Sequence, residues 1–364
     1  MFRVLSLLCL IGLIGCAPRA TLTSFAGPTP GAERQVFIGT TRPLVSAIQA
    51  AEDRAASLSF ASVTLSIPPE RRLGEIPVNP REPDPMRDIV VTQSQRFAEA
   101  PEFRAGLSQA LAAYPEGRRE AVIYVHGFNN TYDEGVIRIA QLAHDLQIDG
   151  VAVHYAWPSQ GWVLGYGHDR ESALFARDGL QALIEEVHAA GADRIVLVAH
   201  SMGALISVEV MRQMDIARPG RSRHMLSGVL LISADIDPDV FVSQLARIDP
   251  VPEPFVLFVS QRDRALRLSA RLNGSPRRIG NLGDIEPLAD LPITVVDLSA
   301  EAGSTDHFAA GNSAVLLGLF SRIRDINDAF SGDRAGRAGL FPGTVLTIRN
   351  ATEIVLSPGG ALSN

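Results

Sequence analysis

Arg194-Ile-Val-Leu-Val-Ala-His-Ser-Met-Gly-Ala-Leu-Ile-Ser-Val-Glu-Val-Met211 passes within a few residues from an apolar run into a helical pattern. Arg194 to Ala199 reads as a strand covered on both faces, because its β-branched and leucine side chains do not alternate with polar ones. Leu205 to Met214 carries apolar residues at helical spacing. Ala199-His200-Ser201-Met202-Gly203 joins the two. So sharp a turn forces its apex into a strained backbone, and the residues two before and two after must be small to avoid collision. Ala199 and Gly203 satisfy this, which leaves Ser201 at the apex. The helix behind it presents N–H groups without intrahelical acceptors, a positive end suited to a developing oxyanion. The plainer alternative is a Ser-Gly turn whose hydroxyl caps the helix.

Working outward, apolar runs recur at Gln35 to Ile38, Ala61 to Ile67, Ala121 to Val125, Val151 to Tyr155, Gly228 to Ser233, Phe255 to Ser260 and Ile293 to Leu298. From Ala121 onward they alternate with amphipathic stretches, among them Gly135 to Leu146 and Ser172 to Ala190. Strand–helix alternation predicts an α/β fold: a mostly parallel sheet of about eight strands with helices on both faces. Pro68 to Arg87, dense in Pro, Arg, Asp and Glu, predicts a surface loop. Beyond Phe330 one strand-like piece, Thr344 to Ile348, has no assigned role.

Other strand ends carry chemistry. Ala121 to Val125 leads into His126-Gly127-Phe128-Asn129-Asn130, which read plainly is a glycine turn between strand and helix. Phe255 to Ser260 ends in Gln261-Arg262-Asp263-Arg264, and Gly228 to Ser233 in Ala234-Asp235-Ile236-Asp237. Either Asp263 or Asp235 can serve as an acid, and either can instead cap the following helix. Only His224 and His307 follow Ser201 in the chain, and His307 alone follows the last strand. The remaining histidines offer no ligand spacing, so no metal or other cofactor is expected. Trp157, Trp162 and Tyr166 can line an acyl pocket, form a flap, or pack beneath a loop.

The N-terminus has a different character. Met1 to Arg3 is a short positive region, Val4 to Ile14 an apolar run too short to span a bilayer comfortably, and Leu13-Ile14-Gly15-Cys16 closes it. Residues 16–33, rich in Pro, Gly, Thr and Ala, read as a tether. The only cysteines are Cys9 and Cys16, so the body has no disulfide, no cysteine cluster and no cysteine nucleophile. The chain contains no lysine, which excludes Schiff-base chemistry and a lysine-type phosphate loop. With a net charge of −7 and no run of basic residues, nucleic acid is not an expected partner, nor is an anionic surface favoured by charge.

These motifs together resemble the alpha/beta-hydrolase superfamily, and within it a bacterial family described as alpha/beta hydrolases of unknown function. The resemblance rests on Val36-Phe37-Ile38-Gly39-Thr40, Val125-His126-Gly127-Phe128-Asn129, Trp157-Pro158-Ser159, Asp169-Arg170-Glu171-Ser172, Ala199-His200-Ser201-Met202-Gly203 and Asp263-Arg264-Ala265-Leu266. It spans roughly Glu33 to Asp325 and implies a single hydrolase domain over residues 34–325, followed by a tail over 326–364. It implies Ser201 as nucleophile, the N–H groups of Phe128 and Met202 as oxyanion donors, His307 as base, and Asp263 as acid with Asp235 as the alternative. Around His307 the sequence reads only Asp-His-Phe, a loose match, and Ala199 stands where Gly is usual. The implied activity is hydrolysis of a small-molecule or lipid carboxylic ester, with peptidase or amidase chemistry, or a non-catalytic envelope-binding role, as alternatives. Leu13-Ile14-Gly15-Cys16 resembles a bacterial lipobox, implying a signal peptide over 1–15, cleavage before Cys16 and acylation of its thiol. The implied location is the cell envelope, at the outer membrane facing the periplasm.

Overall fold

The computed structural model describes residues 19–77, 83–274, 277–283, 286–299, 343–348 and 351–356. The chain opens with β1 (Ala32–Thr40), a short hairpin of β2 (Leu44–Ser46) and β3 (Gln49–Ala50), and then β4 (Ser59–Ile67) and β5 (Val90–Phe97). After α1 (Ala100–Leu111) come β6 (Glu120–Val125), α2 (Tyr132–Asp145), β7 (Val151–Ala156), α3 (Tyr166–Phe175) and α4 (Arg177–Ala189). The second half runs β8 (Arg194–His200), α5 (Met202–Ala217), α6 (Arg221–Met225), β9 (Gly228–Ile232), α7 (Pro238–Leu245), β10 (Phe255–Val259), α8 (Arg264–Leu272) and β11 (Thr294–Asp297). Two further strands, β12 (Gly343–Ile348) and β13 (Ala351–Leu356), close the list.

Eleven strands form one sheet in the order β12-β13-β11-β10-β9-β8-β6-β7-β1-β4-β5. From β1 through to β13 every neighbouring pair is parallel, while β4, β5 and β12 run antiparallel at the two edges. All eight strands expected from the sequence are present. The count is larger because β5 carries four consecutive exposed polar residues, Gln93 to Arg96, and so lacks a long apolar run, and because Thr344 to Ile348 joins a partner, β13, at the far edge. The hydrolase sheet therefore extends beyond residue 325, and the tail expected over 326–364 supplies its last two strands.

Parallel strands buried on both faces need apolar side chains at consecutive positions. In β6, Ile123 and Val125 enter one core with Leu197 and Ala199 of β8, while Val122 and Tyr124 enter the other with Val198. The first core lies under α1, α4 and α5, the second under α2. The stretch Ser172 to Ala190 is two helices rather than one. They meet at Ala176, whose carbonyl oxygen accepts the Tyr155 hydroxyl at 2.5 Å.

The expected tether is also different. Residues from Arg19 onward lie on the body: Ala20 and Leu22 are buried, Leu22 N–H donates to Asp133 at 2.9 Å, and Phe25 and Val91 exchange strand-like bonds through Thr23. Ala20 and Leu22 bring enough apolar surface to a chain otherwise read as a linker for it to settle against β5 and α2.

Candidate active site

Ser201 sits between β8 and α5 with φ 53° and ψ −119°, a conformation that a side-chain-bearing residue adopts only when its surroundings impose it. Three backbone bonds do so. Ser201 N–H donates to Ile232 O at 2.9 Å, and the Ser201 carbonyl accepts from Ala204 N–H at 3.1 Å and Asp235 N–H at 3.2 Å. The small residues serve the expected purpose: a Cβ on Gly203 would stand 2.5 Å from the carbonyl oxygens of both Val125 and His126. The end of β6 thus presses directly on the start of α5.

The same closeness brings in the loop after β6. A Cβ on Gly127 would lie 2.8 Å from Ser201 Cβ and 2.7 Å from Nδ1 of His200, so only glycine lets this backbone reach the serine. The next N–H, that of Phe128, and the N–H of Met202 have no hydrogen-bond acceptor among the described residues. They are the two groups expected as oxyanion donors, and Ser201, Gly127, Phe128 and Met202 are together in space.

Behind this loop, His126 stacks on Trp157 with ring centroids 5.1 Å apart and 12° between planes, and Trp157 Nε1 donates to His126 O at 2.7 Å. His126 is fully buried, and that burial, with His154 and Arg42 nearby, holds its imidazole well below the ordinary histidine range. His154 is pushed down to about 3 by burial. Both are neutral rings packed as core, and Trp157 packs with them rather than lining an open pocket.

Two motifs ten residues apart in sequence meet next to Trp157. Ser159 Oγ donates to Asp169 at 2.6 Å, Gln160 N–H donates to the same carboxylate at 2.8 Å, and Arg42 donates to the carbonyls of Trp157 at 3.1 Å and Ser159 at 2.5 Å. Arg42 is almost wholly buried, which lowers its guanidinium to about 10 against the opposing pull of Asp169. The Trp-Pro-Ser and Asp-Arg-Glu-Ser pieces are a scaffold that shapes the strap from Trp157 to Tyr166. Arg42 was not legible as a member, since nothing in its neighbourhood marks it.

The two candidate acids differ. Asp235 is buried and has both oxygens engaged: the Tyr166 hydroxyl donates to one at 2.7 Å, and Ser269 Oγ at 2.5 Å and Arg278 Nε at 3.0 Å reach the other. Burial and this carboxylate raise the Tyr166 phenol, which keeps it a proton donor. Asp263 follows β10, is buried, and caps α8 by accepting Leu266 N–H at 3.0 Å through Oδ1. The helix after β9 is capped by Asp237, not Asp235. His307 and Cys16 lie outside the described residues.

Residues 102–316, more than half of the chain, match the family model of an alpha/beta hydrolase of unknown function, DUF900. The chain belongs to this DUF900 family. No curated protein matches the sequence. Among solved structures, the DUF900 chain is similar to fungal esterases from Rhizomucor miehei (11% identity, TM-score 0.37, covering 82% of this chain and 86% of that one). It is also similar to an esterase from the archaeon Pyrobaculum calidifontis (12% identity, TM-score 0.34, 63% and 94%) and to esterase B from Lactobacillus rhamnosis (15%, 0.35, 60% and 79%). The alpha/beta-hydrolase fold of this DUF900 protein is carried by the family match together with the parallel sheet described above.

Proposed function

We propose that the protein is a serine hydrolase of carboxylic esters, with Ser201 as its nucleophile. The observation that carries this reading is the strained left-handed backbone of Ser201, gripped from β9 and faced by the Gly127 loop. Such a conformation costs on the order of 1–3 kcal/mol, and a helix-capping serine has no need of it. Ser201 makes no side-chain cap bond to α5.

In the reaction, His307 takes the hydroxyl proton as Ser201 Oγ attacks the ester carbonyl. The carbonyl oxygen becomes an oxyanion held by the N–H groups of Phe128 and Met202. Collapse expels the alcohol, which takes the proton from His307, and leaves an acyl-serine. Water then repeats the sequence and releases the acid. Asp263 orients His307 and balances the imidazolium. Asp263 is favoured over Asp235 because it follows β10, one strand later in the chain than Asp235 and one strand before His307.

We also propose that Cys16 is acylated and holds the protein on an envelope membrane, since several acyl chains at about 0.8 kcal/mol per buried methylene make a strong anchor. Incorporation of labelled palmitate that disappears in Cys16→Ser is the expected result. For the chemistry, wild-type protein should label with a fluorophosphonate probe and hydrolyse p-nitrophenyl esters. Ser201→Ala should remain folded, take no label and lose activity by a factor on the order of 10⁶. Wild-type turnover by Ser201→Ala would falsify the assignment.

A further inference from the structure

Where the anchor leaves the body fixes which face of the molecule meets the membrane. A free tether from Cys16 to the start of β1 would reach about 60 Å and leave orientation open. Instead the chain is fastened at Arg19, whose guanidinium donates to Asn129 Oδ1 at 2.7 Å, to Asn129 O at 3.3 Å and to Glu134 at 2.8 Å. Asn129 is the residue after the proposed oxyanion donor Phe128. Only two residues, Ala17 and Pro18, separate Arg19 from Cys16, a span of about 10 Å at most. An acyl chain on Cys16 would therefore enter its bilayer close to the loop that carries Phe128 and Asn129.

What lies beside that exit is apolar and exposed. A Cβ on Gly161 would stand 3.5 Å from Arg19 Nη1, and Gly161 is followed by Trp162, Val163 and Leu164, which are 56%, 49% and 72% exposed. The turn is closed by Gly165 N–H donating to Trp162 O at 2.9 Å, so three consecutive large apolar side chains are held outward in water. Such a patch is costly without a partner. Tryptophan with aliphatic neighbours suits the boundary between headgroups and acyl chains.

The adjoining rim adds charge. Tyr166 accepts from Asn273 Nδ2 at 2.7 Å and contacts Ser269 Oγ at 3.0 Å, which ties this strap to α8. Arg262, Arg264, Arg267 and Arg271 are exposed on and just before that helix, together with Leu268. None of the four arginines forms an ion pair among the described residues. The net charge of −7 conceals this basic edge. Arginines flanking an apolar patch suit anionic lipid headgroups.

We propose that the rim made by Trp162-Val163-Leu164 and the arginines of α8 rests on the anionic bilayer that holds Cys16, so that Ser201 takes an acyl ester from that lipid surface. The identity of the surface rests on the acylated-Cys16 reading. The ester oxygen and acyl carbon arrive from the bilayer side, past Phe128, whose ring packs edge-on to Tyr166 at 5.3 Å.

The test uses the full chain reconstituted into phosphatidylethanolamine–phosphatidylglycerol vesicles with brominated acyl chains. The protein has two tryptophans, and Trp157 is fully buried, so bromine quenching reports on Trp162. Emission should fall by about half, as for an interfacial tryptophan. Val163→Ser with Leu164→Ser should relieve that quenching and slow hydrolysis of a vesicle-borne ester about tenfold, with hydrolysis of soluble p-nitrophenyl acetate unchanged as the check on folding. Unquenched emission in protein that carries palmitate overturns the proposal and leaves the anchor standing. Quenching by added vesicles in protein that carries no palmitate supports the rim and removes the anchor. Emission that answers to an envelope protein and not to brominated lipid gives the rim to a protein partner and overturns the proposal.

Discussion

Ser201 is flanked on one side by the ends of β6 and β7 and on the other by those of β9 and β10, and the two flanks are built from opposite materials. The β6–β7 flank is neutral and steric: His126, His154 and Trp157 are buried rings, and Gly127 brings backbone to the serine. The β9–β10 flank is ionic: Asp235 meets Arg278 and Tyr166, and Asp263 caps α8. In the proposed reaction one flank would set where an oxyanion sits, and the other would supply the charge that a cationic base needs. Shape is delivered by close packing, which tolerates no extra methyl, whereas charge is delivered by a buried carboxylate, which tolerates no loss of a partner.

Four measurements sharpen or break this contrast. On the ionic flank, Asp263→Asn should lower kcat/KM by about 10⁴, because the amide fails to stabilise the imidazolium formed in the transition state. An equal loss in Asp235→Asn would erase the distinction drawn between the two acids. On the steric flank, Gly127→Ala forces a methyl to within 2.8 Å of Ser201 Cβ and should cut kcat about a hundredfold with little change in melting temperature.

Asp235→Asn should behave in the reverse way, losing about 3 kcal/mol of stability because it leaves the buried Arg278 with only the more distant Asp237, 3.9 Å away, with kcat reduced less than about tenfold. Urea unfolding beside ester kinetics reads both quantities. The smallest effect is the pH response of the neutral flank. His126 and His154 are held below their unfolded values, with His154 at about 3, so the unfolded chain binds more protons in acid. Their contribution is whole above about pH 6.5 and is lost as pH falls below it, at up to about 1.4 kcal/mol per pH unit for each histidine. His154→Gln should flatten the decline in melting temperature between pH 6.5 and 5. An unchanged slope would mean that the ring is not a neutral core group.

Much of the sheet was legible because strands covered on both faces carry continuous apolar runs, and Ser201 was legible because its turn restricts the residues around it. β5 escaped because Gln93 to Arg96 face water on an edge strand. The packed segment around Ala20 and Leu22 escaped because Pro and Gly content describes a chain's stiffness and not what it finds to rest against. Asp235 and Asp263 could be found but not ranked, since each follows a strand and precedes a helix.

By itself the sequence determined the α/β alternation, the elbow at Ala199 to Gly203, the glycine at 127 and the short list of acids, because each is a constraint between residues close along the chain. The tertiary structure decided the rest. Arg42 meets Asp169 at Ser159, Arg278 reaches Asp235, and Arg19 grips the loop beside Phe128, all across long stretches of chain. Such contacts follow from which strands neighbour one another in the sheet, and a buried charge finds its partner by position in space, for which spacing along the chain gives no measure.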